Sequence, residues 1–142
     1  MEKTILVTGA GGFIGGHLVA RLRSLGHKKI RAVDIKPLEE WYQRFDDVEN
    51  VVADLRLRDA CFDACKGTGD VYNLAADMGG MGFIENNKTA CMLSVLINTH
   101  LLMAAQVYCN YRMKPLFVPA SGLPTVIYVR LLKQKGQLEY QP

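Results

Sequence analysis

The sequence predicts an α/β fold, a doubly wound parallel sheet of about five strands. Three observations predict it. Short apolar runs suited to strands alternate with stretches of helical period from Thr4 to Val118. The first run, Thr4-Ile5-Leu6-Val7, passes straight into a glycine-rich stretch and then into an amphipathic one from Gly16 to Leu25. No internal repeat or low-complexity segment competes, which leaves βαβ units with right-handed crossovers.

Each element has its own local signal. Ile5-Leu6-Val7 reads as the first strand. Residues 13–25 read as a helix, with Phe13, Ile14, His17, Leu18, Leu22 and Leu25 near a 3.6-residue period, and Gly26 closes it. Lys29 to Asp34 is the second strand, followed by a longer loop with Pro37 and Trp41-Tyr42. Asn50 to Asp54 is the third strand, 57–65 a short helix, and Gly67-Thr68-Gly69 a turn. Asp70 to Leu74 is the fourth strand, and 84–110 contains one long helix. Leu116-Phe117-Val118 is the expected fifth strand. Pro115, Pro119 and Pro124 then break the chain, and the tail has no evident place in the sheet. The expected division is therefore an α/β domain over 1–124 and an atypical tail over 125–142.

Composition narrows the class. At 142 residues, 49% hydrophobic and 22% charged, the chain has the make-up of one globular domain. The net charge of +3 sits mostly in the tail, where Arg130, Lys133 and Lys135 face only Glu139. No nucleic-acid partner is expected from that balance. No uninterrupted apolar run approaches the ~18 residues of a membrane span, so no membrane partner is expected. The first strand begins by Thr4, which leaves no room for a signal peptide. Cys61, Cys65, Cys91 and Cys109 lack C-x-x-C or zinc-like spacing and read as reduced thiols; Cys61 and Cys65, four apart, could geometrically pair on a metal but have no further ligands. Together these features set the expectation of a cytoplasmic protein without a metal site.

Thr8-Gly9-Ala10-Gly11-Gly12-Phe13-Ile14-Gly15 lies between a strand and a helix, as a dinucleotide fingerprint requires. Gly9 permits the tight turn, Gly12 lets the backbone approach a pyrophosphate, and Gly15 lets the helix pack closely on the strand. The helix start offers N–H groups and the positive end of its dipole to the phosphates. Asp34 ends the second strand 19 residues after Gly15, where a carboxylate accepts from the ribose 2′- and 3′-hydroxyls. A 2′-phosphate would meet a like charge there, so NAD is expected over NADP, although Lys36 pulls mildly the other way. The plainer reading of Asp34 is a strand-end turn. Asp54 has two readings of equal standing, an acceptor for an adenine amino group or the N-cap of the helix near Arg56. Asn73-Leu74-Ala75-Ala76 ends the fourth strand with small residues over which a cofactor fits, or which simply pack.

These motifs together resemble the extended short-chain dehydrogenase/reductases, whose cofactor half has the Rossmann fold. The segment Asp77-Met78-Gly79-Gly80-Met81-Gly82-Phe83-Ile84 resembles, more narrowly, the loop of the NAD-dependent GDP-mannose 3,5-epimerases. The resemblance covers roughly residues 3–114. It implies that Gly9, Gly12, Phe13, Ile14 and Gly15 cradle the NAD pyrophosphate and that Asp34 holds the adenosine ribose. It also implies that Asp54 and Leu55 lie at the adenine, and that Leu74, Ala75 and Ala76 line the nicotinamide side. Gly79, Gly80 and Met81 would approach the sugar of a nucleotide-sugar substrate. The chemistry implied is oxidation of a sugar hydroxyl to a ketone, proton transfer at the acidified neighbouring carbons, and re-reduction. In that family a Tyr-x-x-x-Lys pair with an orienting Ser or Thr drives the oxidation, and a cysteine shares the proton transfer.

The sequence departs from this pattern after the long helix. Ser121 can stand in for the orienting serine, but no cysteine follows it and no tyrosine has a lysine four residues on. Tyr128 has Leu132 at that spacing, with Lys133 one residue farther. The family's substrate domain has no counterpart, and the 142-residue chain is expected not to turn over alone. The stripe Met92, Leu93, Leu96, Leu102 and Met103 reads as core or as a helix–helix interface, and in the latter case as a homodimer contact through 84–110.

Overall fold

The computed structural model describes residues 3–77, 85–109, 111–116 and 127–133. Its strands are β1 (Thr4–Thr8), β2 (Ile30–Asp34), β3 (Glu49–Val52), β4 (Thr68–Asn73), β5 (Tyr111–Leu116) and β6 (Ile127–Lys133). The helices are α1 (Phe13–Ser24), α2 (Arg58–Cys65) and α3 (Lys88–Cys109). The sheet order is β3-β2-β1-β4-β6-β5. β2, β1 and β4 run parallel, as do β2 and β3. The chain winds outward from β1 to β3 and then crosses to the far side of β1 for β4. That reversal opens a crevice at the carboxyl ends of β1 and β4, the usual ligand position in an open α/β sheet.

Alternation along β1 explains the two layers. Ile5 and Val7 face α1, in a core shared with Val19, Leu22, Ile30, Ala32, Trp41 and Val48. Leu6 faces the opposite layer, where α2 and α3 bring Cys61, Ala64, Ile97, Leu101 and Ala104 against Val33 and Val71. Leu6, Val7 and Val33 are completely buried. Truncating one such side chain to alanine typically costs ~2–5 kcal/mol, so this central stripe anchors both layers.

Several expectations need correction. The sheet is mixed: β6 pairs antiparallel with both β4 and β5. The tail therefore has a place, because the apolar run from Ile127 completes the open edge of β4. The fifth strand comes earlier than expected, at Tyr111–Leu116, and Phe117 and Val118 lie outside the described residues. Thr68 and Gly69 belong to β4 rather than to a turn. The buried face of α1 is Gly15, Gly16, Val19 and Leu22, whereas Phe13, Ile14 and Leu25 are exposed. Glycine draws that face against the sheet and turns the larger residues outward. Gly26 does close α1, with φ of 89° and its N–H bonded to the Arg23 carbonyl.

The helix α3 is also more apolar than run counting suggests. From Lys88 to Tyr108 its mean hydropathy reaches 1.6, long and apolar enough by length and composition to cross a membrane. Ser94, Asn98, Thr99, His100 and Gln106 interrupt the run without adding charge, which hid its length. One face nevertheless packs on the α2 layer through Ile97, Leu101, Ala104 and Ala105. The other leaves Met92, Val95, Leu96, Met103 and Val107 exposed.

Candidate functional site

A cavity of about 360 Å³ occupies the crevice at the strand ends. Of the residues expected to bind a cofactor, Gly9, Gly12, Asp34, Asp54, Leu55, Leu74, Ala75 and Ala76 line it. They come from four separate stretches, so the topology gathers them.

The glycine turn is built by contact. Gly9 has φ of 67°, and a Cβ there would lie 2.7 Å from the Leu74 carbonyl. A Cβ on Gly15 would lie 2.1 Å from the Gly9 oxygen, so α1 rests directly on the turn. Gly12 differs: the nearest atom to its absent Cβ is the Gly9 oxygen at 3.4 Å, and the space above the loop stays clear. As the residue before α1, Gly12 brings no side chain to cap the first N–H groups. Those groups are the ones a phosphate satisfies. Phe13 and Ile14 do not line the cavity; their side chains are exposed, and Phe13 meets His17 and Tyr42 edge-on at 4.6 and 4.9 Å.

Asp34 is buried and holds the loop as well as its own turn. One carboxylate oxygen accepts from the Gly11 N–H at 2.9 Å and the other from the Lys36 N–H at 3.0 Å. The strand-end turn and a ligand role are thus compatible, since each oxygen keeps a free acceptor direction. Trp41 braces the same corner, donating from Nε1 to the Lys36 carbonyl at 2.9 Å and packing over Gly11.

The end of β4 is tied to β1 by Thr8. Its hydroxyl donates to Asn73 Oδ1 and lies 3.2 and 3.3 Å from the N–H groups of Leu74 and Ala75. Asn73 in turn donates to Asn98 on α3. The small residues at the cavity edge are therefore held by a buried polar network, which is stiff when fully satisfied.

Asp54 is not the cap of α2. That helix starts at Arg58 after Leu57, with no side-chain cap. Asp54 accepts from the Arg56 backbone N–H at 3.0 Å and grips its guanidinium, with Nη2 to Oδ2 at 2.7 Å. The guanidinium holds the Asp54 carboxyl below the usual carboxylate range, against a smaller opposing effect of burial. Behind it, Cys61 donates to the Leu55 carbonyl at 3.0 Å, and burial pushes its thiol up to about 12. Cys61 thus anchors the backbone at Leu55 from a fully buried position.

Sequence reading missed Ile35, Ala53, Arg56, Asp77 and Ile97 in the cavity wall. Arg56 had a local signal, its place two residues after a strand-end aspartate. Ile97 had none, because only the packing of α3 brings it there. Gly79, Gly80, Met81 and Ser121 lie outside the described residues.

A family model described as the NAD dependent epimerase/dehydratase family matches residues 5–126. GDP-mannose 3,5-epimerase 1 of Oryza sativa subsp. japonica is 44% identical over 104 residues, 72% of this chain. GDP-mannose 3,5-epimerase of Arabidopsis thaliana is 40% identical over the same length. The chain spans only 27% of the length of either relative. Among solved structures, MoeE5 in complex with UDP-glucuronic acid and NAD matches with a TM-score of 0.63 at 31% identity. That match covers 75% of this chain and 33% of MoeE5. With its cofactor-type crevice and a family match over most of its length, the chain belongs to the NAD dependent epimerase/dehydratase family.

Proposed function

We propose that this chain is the cofactor-binding half of an NAD-dependent nucleotide-sugar epimerase of the GDP-mannose 3,5-epimerase type. The observation that carries the reading is the cavity that joins the open Gly12 loop to the Asp34 carboxylate. The residues fit NAD: the start of α1 would hold the pyrophosphate, Asp34 the ribose hydroxyls, and Asp54 with Leu55 the adenine. Leu74, Ala75 and Ala76 would line the nicotinamide side. Bound there, NAD supplies a reversible hydride acceptor for a sugar hydroxyl. The protein's part is to orient the dinucleotide on the strand ends. Gly79, Gly80 and Met81 would meet the sugar.

In this reading the cofactor unit takes in the tail strand β6 along with residues 1–124, because β6 pairs with β4, and the protein works in the cytoplasm. The exposed apolar face of α3 joins a second copy as a homodimer. Without a Tyr-x-x-x-Lys pair or a cysteine after Ser121, the 142-residue chain supplies no proton-transfer residues of the family type. We therefore infer no epimerisation of GDP-mannose by this chain alone. A second reading, favoured by the likeness to MoeE5 with UDP-glucuronic acid, keeps the cofactor half and changes the nucleotide sugar.

The test is equilibrium binding of NAD and NADP to the full chain, read by its single tryptophan, Trp41, which packs on the glycine loop. NAD is expected to bind at least about tenfold more tightly, and Asp34→Ala to erode the preference. Equal affinity for the two dinucleotides would overturn the reading.

A further inference from the structure

The cavity wall holds an ion pair whose geometry does more than neutralise charge. Three N–H groups of Arg56 reach the Asp54 carboxylate: the backbone N–H at 3.0 Å, Nε–H shared between both oxygens at 2.9 and 3.1 Å, and Nη2–H at 2.7 Å. A carboxylate offers about four acceptor directions, so about one remains. The Asp54 side chain is 28% exposed and lines the cavity, which is where the remaining direction has solvent to face. Both oxygens are fixed by a planar fork, and the carboxylate cannot rotate without breaking two charge-assisted bonds.

We propose that Arg56 is a positioning residue for base recognition: by gripping both oxygens of Asp54, it leaves one aimed acceptor for the exocyclic amine of a 6-aminopurine. The proposal rests on the reading that the adenine end of a dinucleotide occupies this part of the cavity. It adds a chemical selectivity to that reading. A base with a 6-oxo group presents an acceptor where Asp54 also offers only acceptors, so the carboxylate repels it. Without the Arg56 guanidinium only the backbone N–H at 56 holds one oxygen of Asp54, so the carboxylate can swing about that bond and a 6-oxo base is penalised less. Lysine at this position keeps the charge but has no planar fork for two oxygens.

The test compares NAD with its analogue carrying hypoxanthine in place of adenine, titrated into the full chain by Trp41 fluorescence. The wild-type chain is expected to favour NAD by about tenfold or more, the scale of one hydrogen bond to a charged group. Arg56→Gln and Arg56→Lys are each expected to bring that ratio to within about threefold. Asp54→Asn should move the ratio too, because the amide can donate to a 6-oxo group. Equal weakening of both dinucleotides by the Arg56 variants, with the ratio intact, would mean that Arg56 is merely structural and would overturn the inference. An unchanged ratio in Asp54→Asn would overturn it as well. Failure of the wild-type chain to bind NAD at all would instead sink the cofactor reading on which it rests.

Discussion

Replacing Gly15 by alanine should destabilise the fold, although alanine is the better helix former. The propensity change alone would stabilise by ~1 kcal/mol. Against it, the new Cβ would sit 2.1 Å from the Gly9 oxygen and 2.7 Å from the Ala10 Cα. An ordinary carbon–oxygen contact needs about 3.3 Å, so α1 must lift from the turn by about 1 Å. Every atom in the way is backbone and has no rotamer to escape into. Overpacking of this kind costs ~1–3 kcal/mol, and a backbone obstacle places it at the upper end. The expected net loss is about 2 kcal/mol, or about 1 M in the urea midpoint at an m-value near 2 kcal/mol/M. Gly16→Ala is the internal control. It gains the same propensity, but its Cβ would come no nearer than 3.2 Å to the Gln43 Cβ, with two backbone atoms at ordinary contact distance, and the midpoint should stay within about 0.5 M of wild type. Urea unfolding followed by Trp41 fluorescence reads both variants. Equal midpoints for Gly15→Ala and Gly16→Ala would refute the claim that α1 is held against the turn by the missing side chain.

Other perturbations test other joints. Thr8→Val keeps the shape and removes the hydroxyl bond to Asn73 Oδ1, while that oxygen still accepts from the Ala75 N–H at 3.2 Å, so it should cost only ~0.5–1.5 kcal/mol in the same urea assay. Native Cys61 should resist iodoacetamide at pH 8 and react only in the unfolded chain, checked by mass spectrometry. Because burial raises the Cys61 value, its contribution to stability is whole below the ordinary thiol range and is lost as pH rises towards about 12. Asp54 works in the opposite direction. Its lowered value stabilises the fold above the ordinary carboxylate range and is lost as pH falls through the folded value. The stability gap between wild type and Arg56→Gln should therefore narrow below about pH 4.

The parts of this molecule that were legible in its sequence are those governed by local backbone chemistry. The turn at Gly9, the close approach at Gly15 and the strand-end carboxylate at Asp34 each follow from a residue type at a spacing, and the structure brings all three to one corner. What required tertiary context was hidden. Periodicity marks a helix from Phe13 and Ile14 onward but does not say which face is buried; the glycines decide which face can touch the sheet. No signal within Ile127–Lys133 says that it pairs with β4, since an edge accepts either strand direction. The role of Asp54 was open for a similar reason: a strand-end aspartate before a helix suits several acceptor roles, and only the reach of Arg56 excludes the cap.

Hydrogen–deuterium exchange of the full chain with and without NAD tests the central claim most directly. The account predicts slower exchange on binding in separate stretches that meet only in the folded cavity: the turn from Gly9 to Gly15, Ile35 with Lys36, Leu55 with Arg56, and Ala75 to Asp77. No protection at saturating NAD, or protection confined to residues away from the strand ends, would contradict it.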